Sequence, residues 1–327
     1  MSSSDDGSEP WEVVLKLTSD GGFLRIDGNK VTVSTSSETD DGSPDQQPPP
    51  PTTHFSTVFS ANSTIDDLMA AVIRRKIDSL LHGVNSVILV FGTSHTDRSE
   101  LTIGSPEAMG LVPLVIKTLF ESTDIQGLHE SRYSVECKFT AMTDSDSYDL
   151  VSVMNAEGNQ TNIQAAKCAD DALETLDNGL DQLNVLVGEG VLQPGCHSLL
   201  FDVTYSNTNV VATMRFVIVA DCDNPANSPV IDTLRSVVGI RANNEDVPVQ
   251  LIGRCPLTNA LLPSLTDGNV SASCITCVHN SEDDLQDTCS VLDFADSLQQ
   301  LRTRPIPVEN NLPVGWESQQ TEDGRMF

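Results

Sequence analysis

No stretch of this 327-residue chain approaches the ~20 consecutive apolar residues that a membrane-spanning helix needs. The opening residues, MSSSDDGSEP, lack both the basic start and the apolar run of a signal peptide, so a cytoplasmic location is expected. Cations are scarce. Lys and Arg number 18 against 47 Asp and Glu, for a formal net charge of −29. A field of that sign repels DNA, RNA and anionic membrane surfaces, and neither nucleic acid nor membrane is expected as a partner.

Also missing is any cysteine framework. Cys137, Cys168, Cys196, Cys222, Cys255, Cys274, Cys277 and Cys289 are scattered, and without an export signal they read as free thiols. Cys274-x-x-Cys277 lies in VSASCITCVHN, which alternates like a strand. Residues three apart on a strand face opposite sides, which spoils chelation, and no second CxxC exists. No metal site is expected. Nor do His54, His82, His95, His129, His197 and His279 fall into a nucleophile–base pattern that would mark an unrelated enzyme.

What is present is enough apolar content, 39%, for a sizeable core, and an alternation of strands and helices. Strands are expected at 11–17, 86–91, 133–142, 197–206, 210–220 and 271–279. A hairpin turning at Asp27-Gly28-Asn29 is expected within 23–35. Residues 63–83 predict one helix, capped by Ser63 or Thr64, with Asp66 and Asp67 in its first turn and Gly83 at its end. Further helices are expected within 110–123, 169–190, 229–244, 256–269 and 281–304. Residues 1–10 read as a disordered tail. The acidic, proline-rich 36–53 reads as a disordered loop inside one domain spanning 11–308. The fold class is α/β, three-layered, with a central mixed sheet of about eight strands, and the doubly apolar strand SVILVF should lie at its centre.

That strand opens SVILVFGTSHTDRSELTIG, residues 86–104, in the order of a strand feeding a phosphate-binding loop. With the segments in this order, the chain resembles the kinesin motor domain. FSTVFSANSTIDDLM through LLHGVNSVILVFGTS, then TIGSPEAMGLVPLVIKTLF, and near the end DTCSVLDFADSLQQL carry the likeness, over about residues 11–305. The resemblance implies a nucleotide loop with lysine on the phosphates and a hydroxyl on magnesium. Here Gly92 and Ser99 remain, while Asp97 replaces the second glycine, Arg98 the lysine, and His95 another glycine. Asp97 would set a like charge beside the phosphates, opposing binding by about 4 kcal/mol at ~4 Å and an effective dielectric near 20. Arg98 is no substitute for lysine's point charge.

Under the same resemblance the two switch motifs are degenerate. QPGCHS keeps His197 but puts Cys196 at the magnesium-linked serine, and IVADCD puts Ile218 at the magnesium-linked aspartate and Asp221 at the mobile glycine. Lys16 is the one cation left beside the expected adenine. In the segment expected to read microtubules, Arg254 persists while Pro256 and Asn259 replace cations, and Arg74, Arg75 and Lys76 form the densest basic cluster, suited to an acidic protein. These departures imply a motor fold that is not an enzyme, holds no cofactor and serves as a scaffold for cytoskeletal or signalling proteins, with weak microtubule binding or none. The alternative is a weak or slow microtubule-associated, ATP-dependent motor. Finally, LPVGWESQQTEDGRMF at 312–327 resembles the incomplete start of a WW domain, within a terminal segment 309–327.

Overall fold

The computed structural model describes residues 7–19, 22–34, 51–94, 96–105, 107–125, 133–151, 165–194, 197–208, 210–219, 229–243, 245–252, 254–265 and 268–307. The expectations for 1–6, for 36–50 and for the WW-like segment at 312–327 fall outside them.

Strand β1 (Glu9–Pro10) leads through Trp11 into β2 (Glu12–Leu17). A hairpin, β3 (Leu24–Asp27) and β4 (Lys30–Val33), turns at Gly28 with φ near +59°, a left-handed conformation that glycine adopts without strain. Strands β5 (Thr52–His54) and β6 (Thr57–Phe59) precede a helical run built from α1 (Ile65–Leu68), a π turn (Met69–Ile73) and α2 (Arg74–Leu81). Then come β7 (Asn85–Gly92), the short α3 (Arg98–Thr102), α4 (Leu111–Ile125), β8 (Tyr133–Met142) and β9 (Ser147–Asp149). Helix α5 (Ala169–Gly188), strands β10 (Ser198–Asn207) and β11 (Val211–Ile218), and helices α6 (Pro229–Ala242), α7 (Val249–Ile252) and α8 (Pro256–Leu265) follow. The described chain closes with β12 (Val270–Val278), α9 (Leu285–Gln299) and β13 (Arg302–Thr303).

Eight strands form one mixed sheet in the order β6-β2-β12-β7-β11-β10-β8-β9. The left part is parallel and the right part antiparallel. β7 is an interior strand, as its unbroken apolar sequence requires. Ile88 and Val90 face one layer, with α1, α2, α4 and α5, while Val87, Leu89 and Phe91 face the other, with α6, α8 and α9. The CxxC pair obeys the same alternation: Cys274 lies in the second layer and Cys277 in the first.

Three boundaries depart from the sequence reading. Glu9 and Pro10, expected in a disordered tail, pair antiparallel with β13, because Trp11 N–H reaches Leu301 O at 3.2 Å and draws the two segments together. Thr52 and Thr53, expected in the loop, are in β5, where the main chain of β4 supplies hydrogen bonds that the loop's composition cannot announce. The single helix expected over 63–83 holds a π turn. Thr64 caps it with a full capping box to Asp67, as expected. Beyond it the buried residues advance by fours, from Leu68 and Met69 to Val72 and Ile73, then Lys76 and Ile77, then Leu80. A regular helix would rotate Lys76 about 80° away from Leu68. That direction still falls between those of Leu68 and Met69, on the sheet-facing arc, and Lys76 is only 4% exposed.

The parallel pair β7–β12 closes tightly at its end. A Cβ on Gly92 would stand 2.1 Å from the Cys277 carbonyl oxygen. Gly92→Ala is therefore expected to destabilise the fold by ~1–3 kcal/mol in denaturant unfolding, since two backbones must separate. Burial also pushes the thiols of Cys137, Cys274 and Cys277 up to about 12. Unfolded, such thiols ionise near pH ~8.5. The unfolded chain then binds fewer protons than the native one, so stability is full below about pH 8.5 and falls as pH rises toward 12. Unfolding midpoints measured from pH 8 to 10.5 should fall less steeply in Cys274→Ala/Cys277→Ala than in the natural chain, because every other group cancels in that comparison.

Candidate functional site

The described residues of the loop after β7 are tied down by hydrogen bonds to one another and to β12. Thr93 N–H donates to Cys277 O at 3.0 Å, and Thr96 Oγ1 donates to Thr93 O at 2.6 Å. Asp97 is the N-cap of α3, its Oδ1 accepting from Glu100 N–H at 2.7 Å. Arg98 is 4% exposed, and its Nη1 donates to Gly92 O at 2.7 Å. The guanidinium is thus turned back under the loop's first residue. Ser99 is exposed on α3. His95 lies outside the described residues.

Helix α9 and the end of β12 hold this loop from the other side. Ser94 N–H and Oγ both donate to Asp287 Oδ2, at 2.9 and 3.1 Å. His279 N–H donates to Thr93 Oγ1 at 3.0 Å, and its Nδ1 donates to Asp284 Oδ2 at 2.9 Å. Sequence reasoning missed Thr93, Ser94, His279, Asp284 and Asp287. The partners are up to 193 positions apart, and only DTCSVLDFA, already quoted for the resemblance, pointed toward Asp287.

Beside the loop lies a cleft of about 570 Å³ lined by Lys16, Thr18, Asp97, Glu100, Leu101 and His279, among others. Lys16 closes its far wall, Nζ donating to Ser60 O at 2.7 Å and Ala61 O at 3.1 Å. This is a concave, partly polar space that strand ends and a helix start surround. Asp97 stands at its edge in contact with solvent, where a charge at ~4 Å opposes a phosphate by nearer 1 than 4 kcal/mol.

The positions that the resemblance assigns to the switches divide. His197 is described, its Nδ1 donating to Gln193 O at 3.1 Å, whereas Cys196 and Asp221 lie outside the described residues. Ile218 ends β11, 4% exposed, paired with Val90 in β7 and Leu199 in β10. At Ile218, which the resemblance assigns to the metal-linked aspartate, an apolar side chain packed in the core offers no atom to a metal's water shell. Arg254 is exposed in the turn before α8, which Pro256 opens. The cluster Arg74, Arg75 and Lys76 is not a basic patch. Lys76 is buried and Arg75 is paired to Glu12, which leaves Arg74 as its exposed member without an ion pair among the described residues.

Arg98→Ala removes a buried, charge-assisted hydrogen bond and is expected to destabilise the domain by about 2 kcal/mol in denaturant unfolding. An unchanged midpoint would mean that the guanidinium does not hold the loop.

Comparison with known proteins gives the frame for this site. A model of the kinesin motor domain matches residues 18–185, just over half of the chain and the whole of the 92–99 loop. The kinesin-related protein SMY1 of Saccharomyces cerevisiae is 34% identical over 70 residues, 21% of this chain and 11% of that protein. The kinesin-like protein KIF27 of Rattus norvegicus is 21% identical over 305 residues, 77% of this chain and 21% of that protein. The kinesin-like protein KIN-6 of Oryza sativa is 37% identical over 70 residues, 21% of this chain and 8% of that protein. The chain thus spans about a fifth or less of the curated relatives it matches. Among the described residues no helix is long and apolar enough to cross a membrane. The expectation that the chain is not an enzyme is overturned, because the matched family is one of ATPases. The physical reason is that the strand, loop, helix and cleft are all in place around Asp97 and Arg98. Eight-stranded sheet and matched segment agree that this chain belongs to the kinesin motor domain family.

Proposed function

We propose that this chain is a kinesin-type motor domain with a weak nucleotide site and slow turnover, whose work is done chiefly through bound proteins. The observation that carries the reading is the pair at the loop: Arg98 is spent on Gly92 O, while Asp97 stands at the rim of the 570 Å³ cleft. A nucleotide entering that cleft meets a loop whose cation faces inward and whose Ser94 amide is engaged by Asp287. Binding then loses the charge-assisted contacts that make phosphate sites tight. Ile218 in the core supports slow chemistry for the same reason, since it offers no polar atom near the loop.

Weak microtubule binding goes with this reading. The chain carries −29, and the α8 region offers the exposed Arg254 beside Pro256 and Asn259. Lacking a local cluster of cations, it gains little steering toward an acidic surface. Partners are then cytoskeletal or signalling proteins, and a cytoplasmic site of action goes with them.

Calorimetry with Mg-ATP, run beside a turnover assay at millimolar ATP, tests the proposal. Expected are a Kd weaker than about 100 µM, corresponding to less than ~5.5 kcal/mol of binding, and slow but measurable hydrolysis. A tighter Kd would refute the weak site, and turnover indistinguishable from a blank would refute the slow enzyme. Low-salt co-sedimentation with microtubules should show little pelleting.

A further inference from the structure

At the opposite end of the parallel strands from the nucleotide loop is a second cleft, of about 480 Å³. The starts of β2 and β12 and the face of α2 form it. Pro10, Trp11 and Val72 give apolar walls, and Ser56, Ser79 and Ser271 give hydroxyls. The Lys76 amine is in its wall. Among the described residues its hydrogen bond goes to a neutral group, Nζ donating to Ser271 Oγ at 3.0 Å. The nearby carboxylate is committed elsewhere: Glu12 Oε1 binds Arg75 Nη2, and Glu12 Oε2 accepts from Ser273 Oγ at 3.0 Å.

We propose that this cleft is a binding site for small aldehydes, which Lys76 captures covalently as an imine. The unprotonated amine adds its lone pair to the carbonyl carbon, and the carbonyl π pair moves to oxygen. A proton passes from nitrogen to that oxygen to give the carbinolamine; the nitrogen lone pair then expels the hydroxyl, which takes a second proton from solvent and leaves as water, so that a protonated C=N bond remains. Amine and aldehyde go to imine and water, with no oxidant or reductant required. The protonated imine carries the same single positive charge as the ammonium, so Glu12 and Glu9 still face one cation. An anionic ligand would not be matched so well, because Arg75 and Lys76 are balanced by Glu9 and Glu12 at the same cleft.

The amine is suited to this chemistry. Burial lowers the Lys76 pKa to about 8, Arg75 on the same helix works in the same direction, and Glu12 on β2 with Glu9 on β1 oppose them. Near neutral pH the amine is then far more often unprotonated than that of an ordinary lysine. A lysine made nucleophilic by desolvation beside another cation is a general route to covalent capture of carbonyls.

The test uses the natural full chain, butanal and sodium cyanoborohydride, which reduces each imine to a stable butylamine, followed by peptide mapping. At pH 7.5 Lys76 is expected to be labelled at least threefold faster than the exposed Lys30 and Lys138. Its rate should level off with a midpoint near pH 8 while theirs keeps rising. In denaturant the preference should vanish, and Lys76→Arg should remove the favoured adduct and leave the others. A ratio below three in the folded chain, a preference that survives unfolding, or a pH profile parallel to that of Lys30 would each overturn the proposal.

Discussion

The register of β7 against β12 is the constraint on which both ends of this domain depend. At one end the strands approach so closely that only glycine fits at position 92, and the Cys277 carbonyl that forbids a side chain there also accepts the Thr93 amide. That contact aims the loop. Everything that follows the loop, from the Asp97 cap to the buried Arg98, is built on a start point that a single backbone-to-backbone approach defines. At the other end the same register brings Ser271 and Ser273 beside β2 and α2, where they meet Lys76 and Glu12. One ladder therefore positions two chemically distinct clefts on opposite rims of the sheet.

The architecture was legible because hydrophobic burial leaves a periodic record. SVILVF is apolar on both alternating sets and became an interior strand, and HSLLFDVTYS with VVATMRFVIVA became an antiparallel pair. Thr64, with Asp67 three residues on, announced a helix start that the capping box then filled. Main-chain pairing leaves no such record. Hence β1 with β13, the edge strand β9 and the brief α7 were invisible.

The site was legible only in outline. Gly92 and the order strand, loop, helix could be read from local sequence, but the consequence of Asp97 and Arg98 could not. Charge type alone suggested that Asp97 would oppose phosphate strongly and that the loss of lysine meant loss of chemistry. Placement changes the magnitudes, since Asp97 is wet and engaged with its own helix, and Arg98 is inside. Lys76 was misread for a related reason. Charge alone suggested a solvent-facing cation, yet four residues after Val72 and four before Leu80 its position lies on the buried arc of the helix.

The pairing of β1 with β13 has a mechanical side. Glu9 lies opposite Thr303 and Pro10 opposite Arg302, so the chain preceding β1 and the chain following β13 leave the ladder from the same end. Tension applied between those two exits would load the bonds one at a time, as in opening a zipper. Force directed along the strands would load them together. A two-residue ladder peeled in this way yields at low force, and the Trp11 N–H to Leu301 O bond would be next in line. Behind it stands Trp11 itself, 2% exposed, with its indole N–H bonded to Ser264 O at 3.1 Å, so the peeling would stop where the core begins.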